Sequence, residues 1–209
     1  MTVSFPRTDI LSVAFQDQTF QLQFRQEFSR TAYGTTLGKD LGPALWSPSY
    51  TTVPMYADDA LGYEAKLNSL DGVIQQFEAG DLRRPYPKAY PSGTCNDGTL
   101  LSVSANNKAM ALSGLAAGQV VSAGDYLSFD YGASRALHQA VETVTANGSG
   151  VTAEFEVRPH IRPGFTLSPA MAVKLKNPRG IFCLVPGSVE SRVQNALFTV
   201  VSFQAIQVV

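Results

Sequence analysis

Two histidines are the side chains best suited to general acid–base or metal chemistry, because imidazole titrates near neutral pH. They are the only histidines among the 209 residues. His138 lies in Ala136-Leu-His-Gln-Ala-Val141, and His160 lies in Arg158-Pro-His-Ile-Arg162. Either role needs a positioned partner, and neither histidine has one nearby in the sequence. We interpret both as structural or surface histidines.

Two stretches with acidic residues are candidates for a carboxylate pair and for a calcium site. Asp58-Asp59 could form a carboxylate pair, but both lie where a helix is predicted to begin, and helix capping explains them. Asn96-Asp97-Gly98 resembles the start of a calcium loop, yet the acidic residue expected at the far end of such a loop is absent. We expect a hairpin turn there.

Cys95 and Cys183 are 88 positions apart and form no Cys-x-x-Cys unit. The fold could bring them together as one disulfide, but two unrelated buried thiols are the favoured interpretation. Two histidines and two scattered cysteines make a four-ligand zinc site improbable. A Gly-x-Ser-x-Gly elbow, a phosphate-binding glycine loop and a His-x-x-x-His pair are also missing from the sequence. The sequence therefore predicts no enzyme, no cofactor and no metal.

Composition narrows the choice of partners. Charged residues make up only 16% of the chain and the net charge is −1. Low charge fits a surface partly covered by another subunit, although a Ser/Thr/Gln-rich surface would give the same count. No block of Lys and Arg suggests nucleic acid or an anionic membrane. The apolar runs are far below the ~20 residues that cross a bilayer, and the start lacks the pattern of a signal peptide. We expect a soluble protein made in the cytoplasm, with no membrane span.

Alternation of apolar and polar residues dominates the chain and predicts strands. The clearest case is Val151–Arg158, where every second side chain is apolar. Thr19–Phe28 alternates in the same way. Ala44–Val53 is interrupted by Pro48, which lacks an N–H for the ladder, so it is predicted to be an edge strand or bulged. Val73–Glu78 is predicted as a further strand.

One segment changes period. Ala60, Tyr63, Leu67 and Leu70 recur at helical spacing after Asp58, a good N-cap, and before Gly72, a good C-terminal residue. An amphipathic helix is therefore predicted over about residues 59–71, with its apolar stripe on a sheet.

The second half of the chain is a series of short strands separated by turn signals. The predicted strands are Thr99–Ser104, Lys108–Ser113, Asp125–Asp130, Ala136–Ala146, Val151–Arg158, Met171–Lys176, Gly180–Val185 and Leu197–Val209. The turn signals are Asn96–Gly98, Asn106-Asn107, Ala123–Asp125, Asn147–Gly150 and Arg162–Gly164. Strands at this spacing suggest a small barrel or sandwich.

The apolar terminal strand must be paired inside a sheet, since as a free edge it would aggregate. Its simplest partner is the N-terminal sheet. We therefore predict a mainly β protein. Residues 1–90 and 178–209 form a β-sandwich domain with one packed α-helix, and residues 93–177 form an inserted small β-barrel-like module.

Four residues are candidates for a subunit interface. Arg83, Arg84 and Tyr86 lie in the proline-rich connector 80–91, which is predicted to be stiff and extended. Arg and Tyr are favoured at interfaces, although a solvated connector is equally compatible with the sequence. Trp46, the only tryptophan, is favoured as core filling over an interface anchor or a sugar-stacking platform.

Several stretches together resemble tail-tip structural proteins of long-tailed (siphovirus-like) bacteriophages, especially the distal tail protein class. They are Asp71–Arg84 after the helix, Ala123–Phe129, Arg135–His138, Ala146–Gly150 and Phe155–Pro163. The resemblance spans most of residues 1–209, on turn and strand signatures rather than chemical ones.

The resemblance implies a β-sandwich with a packed helix that forms a ring at the end of the tail tube, with an extra β module projecting from it. It implies a homo-oligomer, six-fold in that class, which joins the tail tube to the hub in the virion baseplate. It carries over no catalytic residues. The alternative is a module that binds host-surface glycan through exposed Trp46 or Tyr126. A hydrolase is disfavoured, because no convergent acid–base group is visible.

Overall fold

A computed structural model describes residues 3–132, 134–162, 166, 171–195 and 197–209. The protein is mainly β with one α-helix and a closed barrel, as predicted. The elements within these ranges are β1 (Phe15–Arg30), β2 (Thr36–Thr52), β3 (Met55–Tyr56), α1 (Ala57–Asn68), β4 (Phe77–Ala79), β5 (Gly98–Val103), β6 (Ala109–Ser113), β7 (Val120–Val121), β8 (Tyr126–Tyr131), β9 (Ser134–Ala140), β10 (Val144–Thr145), β11 (Phe155–Arg158), β12 (Ala172–Lys174), β13 (Gly180–Leu184), β14 (Glu190–Val193) and β15 (Phe198–Gln207).

The first and last parts of the chain share one seven-stranded sheet. Its strand order is β1-β2-β15-β13-β4, and the short strands β3 and β14 also pair with β15. Val201, Phe203 and Ala205 of β15 are fully buried, and β15 is antiparallel to β2, with Gln204 opposite Ser49. The predicted pairing of the apolar terminal strand with the N-terminal sheet is confirmed.

The edge-strand prediction for the Pro48 region is wrong. β2 lies between β1 and β15, and β1 is the strand with a free edge. β15 pairs with β2 only over Ser49–Thr51, so its ladder ends before the proline, and the missing N–H leaves no gap in it. The bulged alternative holds for the run but not at the proline. The β1–β2 register shifts between Phe15 and Asp17 and between Gln23 and Gln26, and it is regular at Phe20, which lies opposite Pro48.

The helix α1 exists, but its ends differ from the prediction. It begins one residue before Asp58, its N-cap is Tyr56, and no side chain caps it. The prediction that Asp58 is the N-cap is therefore wrong. Asp58 and Asp59 both lie in the first turn, where carboxylates are favoured by the helix dipole.

The helix packs its predicted apolar stripe onto the sheet. Ala60, Tyr63 and Leu67 are buried, and the Tyr63 hydroxyl donates a hydrogen bond to the Ile10 carbonyl oxygen at 3.0 Å. The helix ends at Asn68, and the chain turns through Asp71 and Gly72, both with positive φ. A left-handed Gly72 agrees with the prediction, although the helix ends three residues before position 71.

Residues between β4 and β13 form a closed six-stranded barrel in the order β11-β6-β5-β12-β8-β9. Its interior is aliphatic and aromatic, with Leu112, Leu127 and Phe155 among the most buried side chains. The Asn106-Asn107 turn joins β5 to β6, and the Asn107 amide donates to the Ser104 carbonyl. The predicted turn at Arg162–Gly164 lies partly outside the described residues.

Three local predictions in the barrel region are wrong. The predicted strand Ala136–Ala146 divides into β9, which ends at Ala140, and β10, which pairs with β7 outside the barrel. Of Val151–Arg158, only Phe155–Arg158 is strand. Thr152 is buried instead of Val151, because its amide donates to the Leu112 carbonyl and its hydroxyl oxygen accepts from the Leu112 amide, both at 2.9 Å. Asn96–Gly98 is not a hairpin turn. The Asp97 carboxylate accepts the Leu175 and Lys176 amides, so it joins the start of β5 to the segment after β12.

Gly150→Ala is expected to destabilise the protein by more than about 2 kcal/mol. Gly150 has φ +74°, and an added Cβ would overlap the Leu115 carbonyl oxygen. Gly148→Ala is the matched control in the same turn, because nothing lies within 4 Å of its added Cβ. Urea unfolding of both variants tests this. Equal midpoints for the two would show that the turn tolerates a side chain.

Candidate functional site

Trp46, predicted as core or interface, is in the interior. Its side chain is only 3% exposed, and the indole N–H donates to the Leu137 carbonyl of the barrel at 2.9 Å. Its ring packs against those of Phe20 and Tyr126, with centroids 5.1 and 5.4 Å away. Trp46 therefore joins the sheet to the barrel within one chain, as the core-filling alternative expected.

The connector is attached to the barrel. Arg84 donates to the Gly124 carbonyl at 3.2 Å and lies 3.5 Å from the buried carboxylate of Asp125. The same carboxylate accepts the amide of Lys88 at 2.8 Å. The ring of Tyr86 lies against Gly93. Two of the three connector candidates thus contact residues beyond the connector.

Arg83 is the exception. Its side chain is 67% exposed, and its Nε donates to the Asp81 carboxylate at 2.9 Å. Burial acts to raise the pKa of Asp81, but the hydrogen bonds and charge of Arg83 together with a hydrogen bond from Gln18 hold it below its usual value. Arg83 can still reach a partner, although its guanidinium already has one carboxylate.

His138 has a structural role. It is buried inside the barrel, its Nδ1–H donates to the Pro159 carbonyl at 2.8 Å, and its ring stacks on Phe129 at 5.5 Å. Burial lowers the pKa of His138 to about 4. His160 is exposed, and its pKa is lowered by desolvation and by Arg158 and Lys108. The structure brings neither histidine to a catalytic partner among the described residues.

Stability is expected to fall as pH drops from about 6.5 to about 4, because the unfolded state takes up a proton on His138 that the folded state does not. The loss is about 3 kcal/mol at most. His138→Phe should flatten this part of the pH dependence, whereas His160→Asn should change it less. Urea unfolding between pH 4 and 7 measures both slopes. An unchanged slope in His138→Phe would contradict the assignment.

The most prominent unexplained feature is an arm formed by the far half of the β1–β2 hairpin, residues 23–41. All nineteen residues are exposed. β1 and β2 remain paired along this length, from Arg25 opposite Gly42 to Arg30 opposite Thr36. At about 3.3 Å per residue, the arm extends roughly 20 Å from the body. An isolated two-stranded ribbon is only marginally stable in water, so contact with a further surface would stabilise the arm.

Both faces of the arm carry large apolar side chains. Alternation in β1 places Phe24 and Phe28 on the face that buries Phe20 further down the same strand. Leu37 of β2 lies on the other face, because it is opposite Ser29, and Leu41 lies in the bulge between Asp40 and Gly42. These four side chains are 47–73% exposed, and Tyr33 at the tip is 99% exposed. The arm therefore presents apolar surface on two sides.

A cleft of about 1240 Å³ separates the arm from the rim of the barrel. The arm contributes Phe24, Gln26 and Asp40, and the barrel contributes mainly the 106–108 turn and residues 158–162. The barrel wall is basic, because it carries Lys108, Arg158 and Arg162, and Glu156 pairs only with Arg158, at 2.9 Å. We call this the basic cleft.

The opposite end of the sheet carries a second exposed apolar surface. Tyr56 of β3 lies opposite Phe198 of β15, with ring centroids 5.2 Å apart. Beside them Leu61, Val193 and Leu197 are 62–70% exposed. The Ser191 hydroxyl of β14 bonds to Glu64 of α1, so β14 and the helix form one surface. The charged residues of α1 and β14 are Asp58, Asp59, Glu64, Lys66, Glu190 and Arg192, and Lys66 lies 3.5 Å from the Asp9 carboxylate. We call this surface the acidic end.

The sequence predicts a strand over Thr19–Phe28 from its alternation but does not single out the arm. A usable signal was present: the apolar series Phe20, Leu22, Phe24 continues to Phe28, and Leu37 and Leu41 alternate beyond the Gly34 turn. The acidic end gave no such signal, because β3 and β14 are too short and polar to be predicted.

Cys95 and Cys183 are buried and free, as expected. Among the residues that the structure describes, no group of three or more His, Cys, Asp or Glu could hold a metal ion. Within the same residues, no helix is long and apolar enough to span a membrane. In comparisons with known proteins, no family model matches the chain, and no curated protein matches it.

Proposed function

We propose that this protein is a non-enzymatic structural component of a bacteriophage virion, made in the host cytoplasm. Identical copies assemble into a closed ring in the tail tip, where the ring joins the tail tube to the hub. The observation that carries the proposal is the arm, whose two faces expose Phe24, Phe28, Leu37 and Leu41 without cover from the other residues that the structure describes.

The size of the uncovered surface supports assembly with another protein chain. A stable interface uses about 20–30 residues on each side and more than about 1,000 Å². The nineteen arm residues and the exposed rim of the basic cleft together reach that number. Exposed apolar patches of this extent mark interaction surfaces rather than ordinary surface.

The position of the uncovered surfaces supports a ring. The basic cleft lies near Gln207 at one end of β15, whose side chain accepts the Trp46 amide, and the acidic end lies near Phe198 at the other end. Ten residues of strand span about 30 Å. Two different surfaces at opposite ends produce head-to-tail contacts, which close into a ring or continue as a filament. The resemblance to distal tail proteins favours a closed ring of six copies, with the tail tube and hub as axial partners.

The glycan-binding alternative, as the sequence predicts it through Trp46 or Tyr126, is not favoured. It needs these two rings to be exposed so that a sugar could stack on them. Trp46 is buried, and Tyr126 packs edge-on against Phe20 and Trp46 in the sheet–barrel contact. We therefore do not extend the proposal to a host receptor.

Purified protein tests the proposal directly. Light scattering over a wide concentration range, with negative-stain images of the largest species, should give one closed ring whose mass is a multiple of 22.5 kDa, with six copies expected. A protein that stays monomeric at high concentration, alone and with tail-tube and hub proteins, would overturn it.

A further inference from the structure

We propose that the basic cleft of each copy receives the acidic end of the next copy. This inference rests on the proposed ring and names the two surfaces that meet in it. The occupant of the cleft is thus a second copy of this chain, entering with the first turns of α1 and with β14.

Charge complementarity is the first support. The barrel wall of the cleft contributes Lys108, Arg158 and Arg162, and Glu156 offsets one of them. The acidic end presents four carboxylates, of Asp58, Asp59, Glu64 and Glu190, against two cations, of Lys66 and Arg192, and Lys66 already lies 3.5 Å from the Asp9 carboxylate. Opposite potentials steer two surfaces together and penalise the pairing of like surfaces. Asp40 on the arm wall offsets another of the cleft cations, so the cleft keeps a net positive charge, and a cleft meeting another cleft would juxtapose two surfaces of the same sign.

Apolar complementarity is the second support. Phe24 lines the arm wall of the cleft, and Phe28 continues the same face towards the tip. The acidic end offers Tyr56, Leu61 and Val193 at a similar degree of exposure. An interface with an apolar centre and a charged rim is the usual arrangement of a stable protein contact.

The third support is that the two surfaces cannot meet within one chain, because they lie at opposite ends of β15. Each copy has one cleft and one acidic end, so every contact leaves one of each free for further copies. This is the requirement for head-to-tail growth.

A charge-swap pair tests the inference. The first variant, Lys108→Glu with Arg162→Glu, makes the cleft acidic. The second, Asp58→Lys with Glu190→Lys, makes the acidic end basic. Each variant alone would join like charges and should self-associate at least about 100-fold more weakly than the unmodified protein. Mixed in equal amounts, the two should assemble again, because each altered surface then meets its complement in an alternating ring with an even number of copies.

Controls separate folding from assembly. Lys88→Glu with Lys174→Glu makes the same charge change on two exposed residues, one of the connector and one of the barrel, that do not line the cleft, and should assemble normally. Because lysine is unfavourable in the first turn of a helix, Asp58→Asn with Glu190→Lys serves as the milder second variant. Circular dichroism and melting curves establish that each variant is folded.

The outcomes are distinguishable. Normal assembly by each charge-swap variant alone would show that these are not the contacting surfaces, while the ring itself would stand. Loss of assembly without recovery on mixing would also overturn the pairing. If the unmodified protein is monomeric under every condition, the proposed function fails before the pairing is tested.

Discussion

Replacing both Phe24 and Phe28 by aspartate is expected to abolish assembly while leaving a folded monomer. These rings are 59% and 73% exposed on the isolated chain, so they contribute little to the stability of the monomer. In an interface, burial of each ring contributes about 1.5–3 kcal/mol, and an unpaired carboxylate in its place adds a further penalty. Self-association should weaken by more than about 100-fold, as measured by sedimentation velocity.

The matched control for this pair is Leu101→Asp with Val141→Asp. Both side chains are about half exposed and line neither the arm nor the basic cleft. This variant should assemble like the unmodified protein. If the Phe24 and Phe28 variant also forms rings at the original concentration, the arm is not the interface and the central part of the account is wrong.

Trp46→Ala is expected to cause the largest loss of stability, about 3–5 kcal/mol. The side chain is 3% exposed, lies between the rings of Phe20 and Tyr126, and donates its indole N–H to the Leu137 carbonyl. Its removal opens a cavity between sheet and barrel and leaves that carbonyl unpaired. Chemical unfolding with a circular dichroism readout measures the loss.

Trp46→Phe separates the two effects, because it keeps an aromatic ring but removes the N–H. It should cost less than the alanine variant. A Trp46→Ala protein with nearly unchanged stability would show that the sheet and the barrel do not depend on this contact.

The parts of the fold that were predictable are those where burial repeats with a simple period. The strands around Leu100, Leu112, Leu127 and Phe182 are apolar enough to be recognised. The terminal strand is so apolar that the sequence predicts its pairing inside a sheet, where the structure places it. The helix was visible from the spacing of Ala60, Tyr63 and Leu67.

The failures have local physical causes. Thr152 is buried because it exchanges two hydrogen bonds with Leu112, and the alternation of apolar and polar residues does not predict such a contact. Asp97 bonds amides 78 and 79 positions away, so its role depends on the closed barrel. Pro48 is tolerated in an interior strand because the pairing with β15 stops beside it.

The candidate site was the least predictable part. The sequence directed attention to Arg84, Tyr86 and Trp46, whose types are common at interfaces, yet contacts within the chain occupy all three. Phe24 and Phe28 continue an apolar series that reads as an ordinary buried face. They are exposed because the packed part of the sheet ends near residue 23 and the hairpin continues beyond it.

Photocrosslinking from the arm tests the central claim most directly. A benzophenone side chain placed at position 28 should, on irradiation of the assembled protein, join to another copy of the same chain. The products should form a ladder of multiples of 22.5 kDa, whereas the same group at Lys88 should give none. Exclusively intramolecular products from position 28, at a concentration where the protein is otherwise assembled, would contradict the claim that an identical copy covers the arm.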